Sequence, residues 1–481
     1  MIILWIVLGL LTALIAVLLI RTLRFIPKAA PAPEASPEEI DRARAIDHLQ
    51  QLIRAKTVSY RDKKLEDDGE FEKLEALLQN FYPHVFTHCS FHKPGKRSLL
   101  FHWEGKAHDK PGVLMAHYDV VPVDETGWQH PAFDGEIRNG ELWGRGTLDT
   151  KTTFLAILEA ADALIAQGFI PCQDLYLAFA GDEEICGEGC PIIIHWLQEH
   201  KIKPDFVLDE GGAVVENVFP GVKAPCALIG TGEKGPMDVK FIVEGAGGHS
   251  STPPVKTAIG MLAKAVSRIE KHPFPFQLTP PAKGLFDTLG RHSTFLYRMI
   301  FANLWCFKPV LNLFCRMSGG ELNALVRTTV AFTQMEGSQA SNVLPPRAWI
   351  GANMRLIGSD TKESAKARLE KIIGNNKIRV EITHGMNPSP VSVTEGKGWD
   401  GLQQAIRATW PEAIVSPYLM LACSDSRHYS QICPHVYRFS AMALSKAQRG
   451  MIHAHDERIP LDTIETTIAF YLRLIKGFAA N

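Results

Sequence analysis

Three acids in a row, Asp182, Glu183 and Glu184, follow almost directly on the apolar run Leu175–Ala180. Adjacent like charges repel, and the end of a buried strand solvates them poorly, so this arrangement asks for a compensating charge. The same passage from apolar run to ligand-type side chain recurs along the chain. Val113–Ala116 leads into His117, Tyr118 and Asp119, and the segment from Leu142 to Leu148 ends at Asp149. Residues 205–208 lead to Asp209 and Glu210, and His453, Ala454, His455, Asp456 and Glu457 stand together far downstream. Imidazole with carboxylate is the donor set of zinc or a related divalent ion. A carboxylate shared between two such ions makes a clamp suited to hydrolysis. Each fragment alone has an ordinary reading: a hydrogen-bonded His-x-Asp pair, an aspartate capping a helix, acids on a solvated face. Their joint occurrence at the ends of apolar runs favours the metal reading.

Such residues converge only if the runs are neighbouring strands. Phe154, Ile157, Leu158, Ala161, Leu164 and Ile165 have the spacing of an amphipathic helix closed by Gly168, residues 191–200 read as a second helix, and 205–208 as a strand. Strands alternating with helices predict an α/β fold with a mainly parallel sheet flanked by helices, whose sites lie at the C-terminal strand ends. From Gly235 the rhythm changes. Strand 237–244, helix 255–271, strands 324–335 and 348–356, helix 361–373 and strand 377–383 give the order βαββαβ, a ferredoxin-like α+β pattern. The expected organisation is therefore a catalytic domain in two parts, 40–235 and 389–481, around an inserted lid or dimerisation domain, 236–388. Residues 274–320 are rich in aromatic and apolar side chains, among them Phe295, Leu296, Tyr297, Trp305 and Phe314. They suit a greasy lid or a membrane-facing patch, and equally packing inside the inserted domain or against a second subunit. His84, His88 and His92 recur every fourth residue; the β-branched and aromatic residues between them favour a strand, on which they would span too far for one ion.

The N-terminus stands apart. Ile2 to Ile20 is a run of 19 uncharged residues followed by Arg21, Arg24 and Lys28, long enough to cross a bilayer as a helix. With the basic residues after the run and no cleavage site at its end, it reads as an anchor, residues 1–24, rather than a cleaved signal; the basic flank points to a cytoplasmic body. Residues 25–39, with Pro27, Pro31, Pro33 and Pro37, read as a stiff spacer, and Ser36 as the cap of the first helix of the body. The chain has 481 residues, 46% of them apolar, and a net charge near −1. With no dense basic cluster, nucleic-acid binding is disfavoured. Nine scattered cysteines, with Cys186 and Cys190 the closest pair, argue against a disulfide framework.

The segments H-Y-D-V-V-P-V, W-G-R-G-T-L-D-T-K, G-D-E-E-I-C-G-E-G, L-D-E-G-G, G-G-H-S-S-T-P-P and H-A-H-D-E-R occur in order between His117 and Arg458. This series resembles that of the dizinc aminoacylase/carboxypeptidase family, and S-D-S-R-H-Y with the long insertion looks most like its carboxypeptidase S and N-fatty-acyl-amino-acid hydrolase branch. The resemblance implies two zinc ions per chain, with Co2+ or Mn2+ as substitutes. It implies His117 and Asp209 on one ion, Glu184 and His453 on the other, and Asp149 bridging. His453 fits the family spacing to Asp456 and Glu457, with His455 as its competitor. Glu183 is then the general base, Asp119 orients His117, and His249 donates to the oxyanion, often across a homodimer. Arg355, Asn342 and Arg427 match positions near the substrate carboxylate, with interdomain or surface salt bridges as the alternative. The expected activity is release of an amino acid from a peptide C-terminus or an N-acyl amino acid by a metal-activated water. The competing readings are an aminoacylase or dipeptidase on small polar substrates, a non-catalytic binding protein on a decayed enzyme fold, and a membrane-tethered scaffold with structural zinc.

Overall fold

The computed structural model describes residues 1–28 and 37–479; Pro31, Pro33 and the expected cap Ser36 lie outside the described residues. An eight-stranded sheet forms the main layer, in the spatial order Ser90–Gly95, Ser98–Trp103, Gln173–Ala180, Ala107–His117, Phe206–Val215, Val436–Leu444, Cys226–Glu233, Ile414–Met420. Its centre is parallel: Leu114 lies opposite both Leu177 and Leu208, and Val436 opposite Val207. The first two strands join antiparallel at one edge. Near-continuous apolar runs are what strands covered on both faces require. Leu114, Leu177 and Leu208 face the main core, whereas Val113, Tyr176 and Val207 pack with Ile193 and Leu197 of the Gly189–Glu199 helix on the opposite face.

The helix expected to be amphipathic, Lys151–Ala166, is instead buried nearly all round, because Arg42–Arg54 and Leu461–Ala479 pack over its outer side. Its acids are partnered: Glu159 meets Arg44 at 2.7 Å and His48 at 2.6 Å, and Asp162 accepts from the His84 amide at 2.8 Å. The first helix of the body begins at Arg42 rather than after Ser36, since Asp41 accepts from the Arg44 amide at 3.0 Å and so caps it. The His84–His92 stretch is also not one strand. Pro83 opens a short helix, Pro83–His88, and only His92 lies on the strand Ser90–Gly95, its ring tilted against Trp196 at 4.6 Å. A proline at the first helical turn outweighed the β-branched content.

A smaller antiparallel sheet runs in the order Thr329–Glu336, Arg347–Leu356, Gly235–Glu244, Ile378–Gly385, with the helices Ala258–Lys271 and Lys362–Ile373 on its apolar face. This is the strand order of the ferredoxin-like pattern. Its second strand starts at Thr329, since Gly320–Leu325 is helical. Two adjacent chain segments join the sheets: the Ser389 amide donates to the Glu233 carbonyl at 3.1 Å and the Met386 amide to the Pro236 carbonyl at 2.8 Å. Gly235 is required there, because a Cβ would stand 2.4 Å from the Met386 carbonyl oxygen. Residues 274–320 form the helices Pro280–His292, Phe295–Ala302 and Leu304–Ser318. They do not pack inside the smaller unit: Leu285, Phe286, Leu289, Phe301 and Leu311 join the core of the large sheet. The N-terminal run is a helix, Ile2–Arg24, long and apolar enough to cross a membrane.

Candidate active site

The parallel register sets His117 opposite Ala180, so the Asp182–Glu184 turn emerges beside it. His117 Nδ1 lies 3.1 Å from the Asp119 carbonyl oxygen and 3.3 Å from its Oδ1, which turns Nε2 inward. Asp119 also accepts from Ser59 Oγ at 2.6 Å and from the amides of Glu183 and Glu184 at 3.1 and 3.2 Å. It therefore fixes two of the strand ends at once, the orienting geometry expected of it. Asp182 turns away and accepts from the Glu188 and Gly189 amides, both at 3.0 Å.

Asp149 stands between two imidazoles. Its Oδ1 is 2.9 Å from His117 Nε2 and its Oδ2 is 3.0 Å from His453 Nε2, the disposition of a bridging carboxylate. His453 Nε2 is also 3.0 Å from Glu184 Oε2. His455 is elsewhere, packed against Gly127, so the structure separates the two candidate histidines. Buried Glu457 builds the Asp149 loop, accepting from the Gly146, Leu148 and Asp149 amides at 3.1, 2.7 and 3.3 Å and pairing with Arg145 at 2.6 Å.

Asp209 departs from expectation. Its Oδ2 accepts from the Ser426 amide at 2.9 Å, while Glu210 Oε1 comes within 3.4 Å of His117 Nε2. Ligand atoms of His117, Glu183 and Glu210 lie within 4.8 Å of one another, as do those of His117, Asp149 and Glu184. Strand parity explains the exchange. Asp209 shares the face of Val207, where Ser426 and Tyr429 pack, and Glu210 shares the face of Leu208. Two adjacent acids at a strand end leave this choice open in sequence. Alternation from the apolar residues before them was the available signal. Asp425, Ser59 and the role of Glu457 were also not foreseen, because their significance comes from contacts across 60 to 312 residues. Asp425 is buried close enough to add to the rise in Glu183 proton affinity that burial mainly causes.

The remaining candidates are not in the cluster. His249 is exposed on the short strand Gly248–His249, its Nδ1 2.8 Å from Ser251 Oγ, so a single chain does not bring it to Asp149. Asn342 offers its carbonyl to the Ser250 amide at 3.0 Å, on that same outer loop pair. Arg427 is committed between the two units: it donates to the Asn387 carbonyl at 2.6 Å and lies 3.9 Å from Glu233. Glu233 in turn pairs with buried Arg438 at 2.9 Å. The ion pairs lie within the larger unit, and the hydrogen bond to Asn387 is what ties Arg427 to the smaller one. Arg355 reaches from the smaller sheet to Cys423 Sγ at 3.1 Å, and its positive field is felt at Cys186, two residues beyond Glu184.

The electrostatics ask for cations. Burial and the neighbouring Asp149 charge push Glu184 up to about 7 and Glu210 up to about 8, and burial raises Glu183 well above the usual carboxylate range. Hydrogen bonds to Asp149 and Glu184 raise His453 to about 10. Against its burial, Asp149 is held ionised by both imidazoles. Protons fill the place of positive charge, and the donor set, imidazole nitrogens around a shared carboxylate, fits divalent metal. A carboxyl with a raised folded-state pKa contributes stability below its unfolded value, near 4.3, that is lost as pH rises through the folded value. Bound cations replace those protons. Stripping the metal with a chelator should therefore lower the melting temperature more at pH 8 than at pH 6. An equal or reversed loss would show that these acids do not hold the ions.

Fold and cluster together define a two-metal amide hydrolase. The chain belongs to peptidase family M20/M25/M40, whose sequence profile matches residues 113–477. It is 34% identical to "Probable carboxypeptidase S-like 2" of Dictyostelium discoideum, over 98% of this chain and 93% of that protein. It is 35% identical to "N-fatty-acyl-amino acid synthase/hydrolase PM20D1" of Xenopus tropicalis, over 97% of this chain and 93% of that one. The fold matches the crystal structure of the M20 family metallo-carboxypeptidase Sso-CP2 from Sulfolobus solfataricus, with a TM-score of 0.66 and 19% identity over 91% of this chain and 99% of that chain. Metal-dependent amide hydrolysis and the carboxypeptidase S-like branch follow from these relationships.

Proposed function

We propose that the protein is a membrane-anchored dizinc hydrolase that cleaves N-acyl amino acids carrying long apolar acyl chains. One observation carries the choice of substrate. A largely apolar cavity of about 160 Å³ is lined by Gly211 and Ile452, next in sequence to Glu210 and His453, and by Tyr418, Leu285, Leu289, Leu322 and Leu325, together with the paired Glu321 and Arg449. A short polar dipeptide has no use for such a wall, whereas each buried methylene of an acyl chain gains about 0.8 kcal/mol there. A relative named as an N-fatty-acyl-amino acid synthase/hydrolase supports the same reading.

His117, Asp149 and Glu210 would hold one ion, and His453, Glu184 and Asp149 the other. When bound, the ions supply Lewis acidity to the scissile carbonyl and make water acidic enough to react near neutral pH. Glu183, buried and with a raised proton affinity, takes the proton of the attacking water and returns it to the leaving nitrogen. Arg355, reaching across to Cys423 from the smaller sheet, would grip the amino acid carboxylate through paired hydrogen bonds. His249 acts on the oxyanion only if a second copy delivers it, which makes a homodimer through the smaller sheet part of the proposal. The helix Ile2–Arg24 is the anchor.

A panel of N-acyl amino acids of graded chain length set against dipeptides tests the substrate. Turnover should rise with acyl length, and Leu322→Trp, which fills a half-buried part of the cavity, should cost about tenfold or more on long chains and little on acetyl substrates. A preference for dipeptides would sink the reading. Glu210 and Asp209 can be separated directly. Glu210→Ala should reduce bound metal from about two ions towards one, while Asp209→Asn should leave metal content near its starting level.

A further inference from the structure

We infer that the outer face of Phe295–Ala302 and Leu304–Ser318 is a second bilayer-seating surface, resting in the membrane beside the N-terminal helix. The inference rests on reading that helix as an anchor, and goes beyond it by placing part of the catalytic body in lipid.

Depth is fixed by hydrogen bonds. Asn303, at the junction of the two helices, donates from Nδ2 to the Leu18 carbonyl at 3.2 Å and to Thr22 Oγ1 at 3.3 Å. The Arg21 guanidinium donates to the Ala302 carbonyl at 3.2 and 3.1 Å, and Thr22 is fully buried at this contact. The Arg291 guanidinium stacks over Phe25 at 4.3 Å and donates to the Ile26 carbonyl at 3.1 Å. Leu18 belongs to the uncharged run that ends at Ile20. At a rise of 1.5 Å per residue, its carbonyl lies about 3 Å inside the end of that run. If residues 2–20 cross the hydrocarbon, Asn303 and the helices it joins are at the hydrocarbon boundary.

The exposed side chains there suit that boundary. The Leu304–Ser318 helix is apolar on two sides. Leu311 and Cys315 face the core, while Val310, Leu313, Phe314 and Met317 recur at helical spacing on the outside, with Met317 80% exposed. Leu296, Tyr297 and Trp305 extend the patch towards the N-terminal helix, and aromatic rings of this type concentrate at membrane interfaces. Between Ser293 and Ser318 there is no acid, and the charged residues are Arg298, Lys308 and Arg316. An apolar face whose own segment carries only basic charges matches a bilayer containing anionic lipid. Continuity with the anchor distinguishes this occupant from a second copy of the chain. The arrangement also sets the cavity wall at Leu285 and Leu289 one helix behind the lipid, so an acylated substrate need not leave the membrane fully.

The test uses the full chain in phosphatidylcholine nanodiscs containing some phosphatidylserine, with lipid brominated near the headgroup end of its acyl chains as quencher. The difference in emission between wild type and Trp305→Phe isolates Trp305, and that between wild type and Trp5→Phe isolates Trp5 in the anchor. Loss of most Trp305 emission in brominated lipid supports the inference. Quenching of Trp5 without quenching of Trp305 overturns it while leaving the anchor intact; quenching of neither removes both. Trp305 shielded from brominated lipid and from aqueous acrylamide alike would mean a protein covers the face, which also overturns it. Leu313→Glu with Met317→Glu, both at exposed positions, should abolish Trp305 quenching without changing hydrolysis of a water-soluble acetyl substrate; unchanged quenching would count against the surface.

Discussion

Glu183→Gln should keep the fold and close to the full metal complement while losing about 10²- to 10⁴-fold in turnover, the range carried by a general base. The expectation comes from the position of the side chain. Glu183 lies in the Asp182–Glu184 turn, whose amides are held by Asp119, and it falls in the cluster with His117 and Glu210 rather than with Asp149 and Glu184. Burial raises its proton affinity well above that of an ordinary glutamate, so it can keep a proton between taking it from water and giving it to nitrogen. The amide side chain preserves shape and removes only that capacity. Metal analysis alongside kcat separates the outcomes. Lost activity with retained metal fits the base, whereas parallel loss of metal would make Glu183 a ligand, and unchanged turnover would remove it from the reaction.

Asp149→Ala should be more severe, because one carboxylate faces both imidazoles. With Oδ1 at 2.9 Å from His117 and Oδ2 at 3.0 Å from His453, its removal would take a donor from each of the two proposed ions and the negative charge between them. Bound metal should fall well below one ion per chain, and activity by far more than the ~10–100-fold typical of an outer partner. Added zinc should then no longer raise the melting temperature. Retention of nearly two ions would show that the bridge lies elsewhere. Glu457→Gln offers a graded comparison: its carboxylate holds the Asp149 loop through three amides, so it should weaken metal binding without abolishing it.

Several features were readable before any coordinates because they depend on local pattern. Apolar runs ending in acid or imidazole mark strand ends in a parallel sheet, and such ends collect on one edge. That logic singled out His117, Asp149, Glu183, Glu184 and His453, which the fold brings together. The βαββαβ order likewise gave the smaller sheet, since ferredoxin-like connection is written in element sequence. What failed had a common cause. The spacing of Phe154, Ile157, Leu158, Ala161, Leu164 and Ile165 reads as an amphipathic helix, but Arg44, His48 and the His84 amide answer Glu159 and Asp162 from distant segments.

The amino-acid sequence by itself carried the imidazole and carboxylate types, the apolar runs that lead into them and the apolar N-terminal run, all of which rest on spacing of a few residues, while the role of Glu183 came from the family resemblance. Only the tertiary structure shows Asp209 meeting the Ser426 amide and Glu210 facing His117, because strand parity points the two apart. It also sets His453 rather than His455 beside Asp149, ties Arg427 to the Asn387 carbonyl, and lays the aromatic helices against the main core and the N-terminal helix. Each of these depends on which of two neighbouring groups meets a partner far away in the chain. Local spacing carries no record of that partner, whereas the packed fold sets it within a few ångströms.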